Sequence, residues 1–198
     1  MWLALLGYAL FFAPSGPTDL FAQLIDLSLA RTAAVDPIAI AVFNLLGVLP
    51  TAFLALLLFE TGKPSPWTFT LGSYVLGGFI LLPYLVLRDT RAPLDSDPGP
   101  FVRAIGSRVA GLILLLIALG LIGFAIIAGD LGAFAAQFQH SGFIALMCFD
   151  LLVLSLSLHR CAASDRRRRA LSMSGWRAQA VRIPLLGPLL YLALRTPI

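Results

Sequence analysis

Charge is what this sequence has least of. Fourteen bases and ten acids make up 12% of the 198 residues, against a hydrophobic share of 59%. A soluble domain usually carries about 25% charged residues, so roughly half the normal polar coat is missing. A water-facing surface around this much apolar side chain is excluded. With a mean hydropathy of +0.92, the solvent for most of the chain is lipid.

Other absences narrow the function. The two cysteines, Cys148 and Cys161, lie thirteen positions apart, roughly 20 Å along a helix and far beyond disulfide reach. No CxxC or Cys/His cluster exists, so no metal site is expected, and the thiols fit a reducing compartment. The two histidines, His140 and His159, are about 28 Å apart on a helix and cannot share a haem or a metal. Either could singly ligate a haem or a chlorophyll, but both read first as solvated interfacial residues. There is no GxSxG, Walker A, dinucleotide fingerprint, HExxH or paired-carboxylate motif, and no connecting loop is long enough for a catalytic domain. The protein is therefore expected not to be an enzyme. Its bases gather at membrane exits without interleaved aromatics, which argues against nucleic acid as a partner.

What the sequence does have is long apolar runs. Crossing a bilayer takes about 20 mostly apolar residues, and four segments qualify or nearly so: 37–59, 67–87, 105–128 and 142–159. The first opens at AVDPIAIAVFN, where Asp36 can cap the helix and Pro37 suits its first turn; it ends before Glu60 and the polar turn TGKPSP. The second, WTFTLGSYVLGGFILLPYLVL, places Trp67 where an interfacial aromatic is favoured. The third is VAGLILLLIALGLIGFAIIAG and the fourth GFIALMCFDLLVLSLSLHR. The expected fold is an all-α polytopic transmembrane bundle forming one domain over 1–198, with four spans and five or six once the ends are counted. Residues 1–30, MWLALLGYALFFA then PSGP then DLFAQLIDLSLAR, read as a broken fifth span. A signal peptide is the alternative, but no basic segment precedes the apolar run. Residues 183–198 carry Pro184 and Pro188 and read as a re-entrant, interfacial or final spanning helix.

If the four runs alternate across the membrane, Arg31, the 88–104 loop with Arg88, Arg91 and Arg103, and the Arg-rich segment 160–182 share one side. Lys63, Asp130 and His140 fall on the other. The positive-inside rule makes the arginine side cytoplasmic or its equivalent. The run from Arg166 through Arg167 and Arg168 to Arg169 would suit an anionic lipid or a partner, at ~1 kcal/mol per base near a charged leaflet; it is also an ordinary topology signal.

Asp150 is the residue that needs explaining. It lies near the centre of the fourth run, where a charge costs at least ~2.5–3.5 kcal/mol. Hydrocarbon disfavours the charged form, so a lone carboxyl there is expected to act as a hydrogen-bond donor. On its own helix face only Ser157 is polar, so a partner must come from another helix, from backbone, from water or from a ligand. One reading makes Asp150 a proton- or cation-handling group; the other makes it an interhelical hydrogen bond, with Asn44 as the candidate partner. Asn44, Gly47 and Thr51 form a small and polar face on the first run, suited to close packing in lipid. Pro50 frees the Leu46 carbonyl and can kink the helix, and Pro83 does the same in the second run. Such freed groups are tolerated where they line a pocket, so packing and ligand binding both remain open. Ser73/Gly77 and Ser107/Gly111 have the small-xxx-small spacing of helix association.

The strings DPIAIAVFNLLGVLP, LGSYVLGGFILLPYLVLRDTR, FDLLVLSL and IPLLGPLLYLALR, in this order, look like a group of small integral membrane proteins of cyanobacteria and plastids. The last part also resembles a short bacterial membrane domain of unknown function. The resemblance implies an inner, plasma or thylakoid-type membrane, with the arginine-rich loops cytoplasmic or stromal, and an accessory role. On the residues and the resemblance together, the leading expectation is an accessory or assembly protein packing against a membrane complex or its own copies. No cofactor is identified; pigment or lipid is what such a setting would offer. The rival expectation is a small transporter or channel-like protein using Asp150 and Asn44 at the midplane.

Overall fold

The computed structural model describes residues 1–12, 20–171 and 175–195. Among them the chain is helical: α1 (Trp2–Phe11), α2 (Leu20–Ser28), α3 (Pro37–Leu57), α4 (Pro66–Leu76), α5 (Gly78–Leu87), α6 (Pro100–Ile105), α7 (Arg108–Ala128), α8 (Leu131–His140), α9 (Gly142–Arg168), α10 (Gly175–Ala180) and α11 (Leu186–Leu194). Pairing between extended residues is limited to a bridge joining Glu60 and Leu94.

Three helices, α3, α7 and α9, are long and apolar enough to cross a membrane. The 21 residues of α3 reach about 31 Å, the thickness of a hydrocarbon core. Its start is set by Asp36, whose side chain accepts the Ile38 N–H at 2.8 Å, with Pro37 at the first helical position. Ser107 and Ser141 cap α7 and α9 in the same way, accepting the Ala110 and Ile144 N–H groups. The C-terminal half of α3 is the core of the bundle. Leu49, Phe53 and Leu56 pack there with Leu114 and Ala118 of α7, Leu154 and Leu158 of α9, and Leu189 and Leu192 of α11. Gly111 lets α11 lie close on α7, since a Cβ there would stand 2.5 Å from the Ala193 nitrogen.

The expected second span, 67–87, is not one continuous helix. It is two helices, α4 and α5, with Gly77 between them at φ +52 and ψ −132. That conformation resembles the first central position of a type II′ turn, which glycine occupies without strain. The helices double back on each other: Phe69 and Tyr84 stack with ring centroids 5.0 Å apart, where a straight helix would separate them by about 22 Å. The base of the hairpin closes on α3, because Arg88, just after α5, pairs with Glu60, just after α3, at 2.8 Å. The physical reason is local. Two adjacent glycines interrupt the run at its middle, and each half is too short to span alone.

This hairpin also redistributes the charges. Lys63, with Arg88, Arg91, Arg103, Arg108, Arg160, Arg195 and the bases from Arg166 to Arg169, lies at the end of the bundle where α3 stops and α7 starts. Arg31 stands at the other end, with Asp36, Asp130 and His140. Both Arg31 and Lys63 thus change sides relative to a four-span alternation. The connection at the second end is held by Asp36, which accepts the Asp130 N–H at 3.0 Å while its own N–H donates to Gln137.

The ends are short. α11 has nine residues, about 14 Å of helix, and packs against α7. α1 and α2 have ten and nine residues; the stretch 13–19 that would join them into the expected broken span lies outside the described residues. α1 lies against the hairpin tip and α9: Leu5 packs with Leu82 and Val153, and Tyr8 stacks on Phe149. Pro83 removes the helical donor of the Phe79 carbonyl, and the Trp2 indole N–H supplies one at 3.1 Å. Trp2→Phe is therefore expected to lower stability by only about 0.6–1.5 kcal/mol, read as a small drop in the melting temperature in detergent. A loss as large as that of a buried ion pair would show that α1 anchors more than this one carbonyl.

Candidate functional site

The tip of the α4–α5 hairpin points at Asp150. The Gly78 N–H, which in an unbroken helix would bond the Tyr74 carbonyl, donates to both Asp150 oxygens, Oδ1 at 3.0 Å and Oδ2 at 3.2 Å. The Asp150 carboxyl accepts this N–H at the positive end of a helix. Both glycines are needed for the approach. A Cβ at Gly77 would stand 2.0 Å from Oδ2, and one at Gly78 2.5 Å from Oδ1.

Asp150 is 7% exposed and forms no ion pair among the described residues. A helix N-terminus favours a nearby anion by typically 0.3–1 kcal/mol, up to about 2. That falls short of the ~2.5–3.5 kcal/mol a mid-membrane charge costs. The carboxylate is under-compensated by roughly 1–3 kcal/mol, so a further donor on its free side would be favoured.

There is room for one. Asp150 lines a cavity of about 650 Å³ bounded by α3, the hairpin tip, α9 and Leu24 of α2, within the ~300–1,000 Å³ typical of small-molecule sites. Most of its wall is apolar, from Phe43, Phe79, Phe143, Leu146 and Met147. Asn44 also lines it. Its amide N–H groups go to the Ile40 carbonyl at 2.8 Å and the Leu27 carbonyl at 3.5 Å, and its Oδ1 accepts nothing among the described residues. Leu46 is a further wall residue, and Pro50 has removed the helical donor of its carbonyl. Tyr74 lines the cavity too, and its hydroxyl shares a hydrogen bond with Thr51 Oγ1 that ties the hairpin to α3. The result is a mostly apolar chamber with acceptor oxygens among its lining residues, which suits a ligand offering a donor.

The residues singled out from sequence are thus divided. Asp150 and Asn44 share the cavity but do not bond each other, because Asn44 spends its donors on α2 and its own helix. Thr51 acts through Tyr74. Ser157 bonds the Val153 carbonyl of its own helix at 2.8 Å and is not among the residues lining the cavity. The four arginines are engaged differently. Arg168 pairs with Glu60 at 2.7 Å and also donates to the Ala92 carbonyl, and Arg169 pairs with Asp165 at 2.9 Å, leaving Arg166 and Arg167 unengaged by ion pairs among the described residues. His140 bonds the Ala136 carbonyl, and the described residues contain no group of three or more metal-ligating side chains. The sequence reading passed over Gly77 and Gly78 as a turn, although a Gly-Gly pair amid an apolar run is a recognised break.

No protein-family model, curated protein or solved structure matches this chain.

Proposed function

We propose that this membrane protein is a small carrier or channel-like protein whose substrate site is the cavity at the hairpin tip, with Asp150 as its central polar group. The observation that carries this reading is the Asp150 carboxylate bound to the Gly78 N–H inside an apolar cavity at mid-bundle. Broken helices that meet at a cavity in mid-membrane are how transport proteins present backbone groups and helix ends to a substrate. An interhelical packing bond alone would not require a chamber beside it. With the hairpin in place, Arg31 is the one lysine or arginine at the end bearing Asp36 among the described residues, and the positive-inside rule favours the other end as the cytoplasmic or stromal side.

The test is Asp150→Asn. The amide oxygen can still accept the Gly78 N–H, so the hairpin keeps its cap, but the charge facing the cavity is gone. Flux or ligand affinity is expected to fall roughly tenfold or more, as for loss of a charge-assisted hydrogen bond, with expression and melting temperature retained. Equal flux and affinity in mutant and parent would sink the reading.

A second reading, an accessory protein of a membrane complex, is favoured by α7. That helix buries only Gly111, Leu114 and Ala118 and turns Leu112, Ile113, Leu116 and Ile117 outward, a face that lipid or a partner helix could cover. Purification in mild detergent from the native membrane, with an absorbance spectrum and mass spectrometry of co-eluting proteins, tests it. A stoichiometric larger complex or bound pigment supports it, and a colourless particle free of other proteins counts against it.

A further inference from the structure

Resting on the reading of the cavity as a ligand site, we infer that its ligand arrives sideways from the bilayer, and that it is a membrane-dissolved amphiphile with an apolar body and one hydrogen-bond-donating head. The cavity has an open side between α3 and the hairpin tip. Gly47 on α3 and Tyr74, Val75 and Leu76 on the hairpin line the cavity and are also exposed on the outer surface of the bundle. Val75 and Leu76 are 87% and 54% exposed, and a Cβ built on Gly47 meets nothing within 4 Å.

The depth of this window decides what it faces. Gly47 is the middle residue of Pro37–Leu57, so it lies about 15 Å from either end of α3, at the centre of a hydrocarbon layer about 30 Å thick. The polar ends of the bundle are half a membrane away. A hydrophilic solute would have to cross acyl chains to reach such an opening, whereas a molecule already dissolved there would not.

The chemistry of the walls sets the other half of the inference. Phe43, Phe143 and Leu146 offer only apolar surface, which suits a hydrocarbon or ring body. Asp150 and the Asn44 oxygen are acceptors, and the carboxylate already has one donor from Gly78. A hydroxyl or ammonium head would supply the second. Beside an ionised Asp150, a carboxylate or phosphate head would set like charges together in low dielectric and is disfavoured on that ground. Alcohol and amine share the donor chemistry, so the experiment must separate them.

The experiment uses the full chain in lipid nanodiscs with diazirine-bearing probes: a long-chain alcohol, a long-chain amine, a long-chain carboxylate and a short, water-soluble amine. Cross-links are located by mass spectrometry in wild type and in Gly47→Trp. That variant fills the window where the glycine has free space, and melting temperature checks its fold. The expected result is labelling at Phe43, Leu146 or Met147 by the long-chain alcohol, the amine or both, lost in Gly47→Trp, with the carboxylate and the water-soluble amine inactive. Stronger labelling by the amine assigns a cationic head, and by the alcohol a hydroxyl. Labelling by the water-soluble amine that survives Gly47→Trp would overturn the lateral route while leaving the cavity as the site. Labelling by the long-chain carboxylate alone would overturn the donor-head assignment. No cavity labelling by any probe would overturn the inference and the reading of the cavity beneath it together.

Discussion

Asp165→Ala is expected to destabilise the protein by about 3–5 kcal/mol, the cost of leaving buried charge without its partner. Asp165 sits near the end of α9 and is 5% exposed. Its oxygens accept from Arg169 Nε at 2.9 Å, the Tyr191 hydroxyl at 2.7 Å and Arg195 Nη1 at 3.0 Å. Arg195, 1% exposed, also donates to the Ala55 carbonyl at 2.6 Å and the Gly106 carbonyl at 3.2 Å. A single guanidinium thereby ties α11 to the ends of α3, α6 and α9. Burial pulls the Arg195 pKa below its ordinary value, and the strongest influence opposing that pull is Asp165. Arg169 and Arg195 also lie over the Phe59 ring, at 5.0 and 5.3 Å from its centroid, but cation–π contacts of about 0.5–2 kcal/mol cannot replace a carboxylate shared by both. Thermal unfolding in a single detergent is the measurement. An unchanged melting temperature would mean that water or lipid headgroups reach the cluster and screen it. Arg195→Met should cost less than Asp165→Ala, because it removes a charge instead of stranding two.

These two residues show where sequence reading stops. Asp165 precedes a run of four arginines, and at that level the whole segment is a topology signal. Hydropathy and charge counts register how many bases lie near a membrane exit, not which of them fold back onto an acid. Glu60 was visible as the end of an apolar run, yet its pairing with Arg88 and Arg168 depends on the hairpin that brings Arg88 home. The helices α3, α7 and α9 were legible because length, apolar content and, for α3, the cap at Asp36 are local properties. The direction of 67–87 was not. A window average over that run scores it as long enough to cross, and the average is blind to a reversal at its centre. Trp67 looked like an interfacial anchor for a span, and its ring does lie tilted against Phe101 at 5.6 Å, but both hairpin ends share that side. At the site, Asp150 was conspicuous because a mid-membrane acid is costly, and its need for a partner on another element followed from that cost. The partner is a backbone N–H freed by a turn, and no side-chain pattern announces such a donor.

The turn therefore carries both fold and site, and substitutions there are expected to separate the two. Gly77→Ala puts a side chain at φ +52 and ψ −132, a region costing of order 1–3 kcal/mol for a non-glycine residue. Its Cβ would also take the space of Asp150 Oδ2. Displacing the carboxylate leaves the Gly78 N–H buried without an acceptor, worth about another 1–3 kcal/mol. Gly78→Ala meets Asp150 Oδ1 and Leu5 instead, but imposes no left-handed strain, since Gly78 is absent from the positive-φ residues. Both variants are expected to lose ligand labelling in the cavity, because both push the carboxylate from its place. Gly77→Ala should melt at the lower temperature of the two, by the strain it alone carries. Combining each with Asp150→Ala removes the clash and should recover part of the melting loss in both, leaving in Gly77→Ala the backbone strain that it alone carries. Should Gly77→Ala match wild type in both melting and labelling, the reversal at the tip is not the structure in lipid, and 67–87 would have to be a continuous span. Asp150 would then face a helix flank with no freed N–H to meet it, and the polar centre of the proposed site would be lost with the turn.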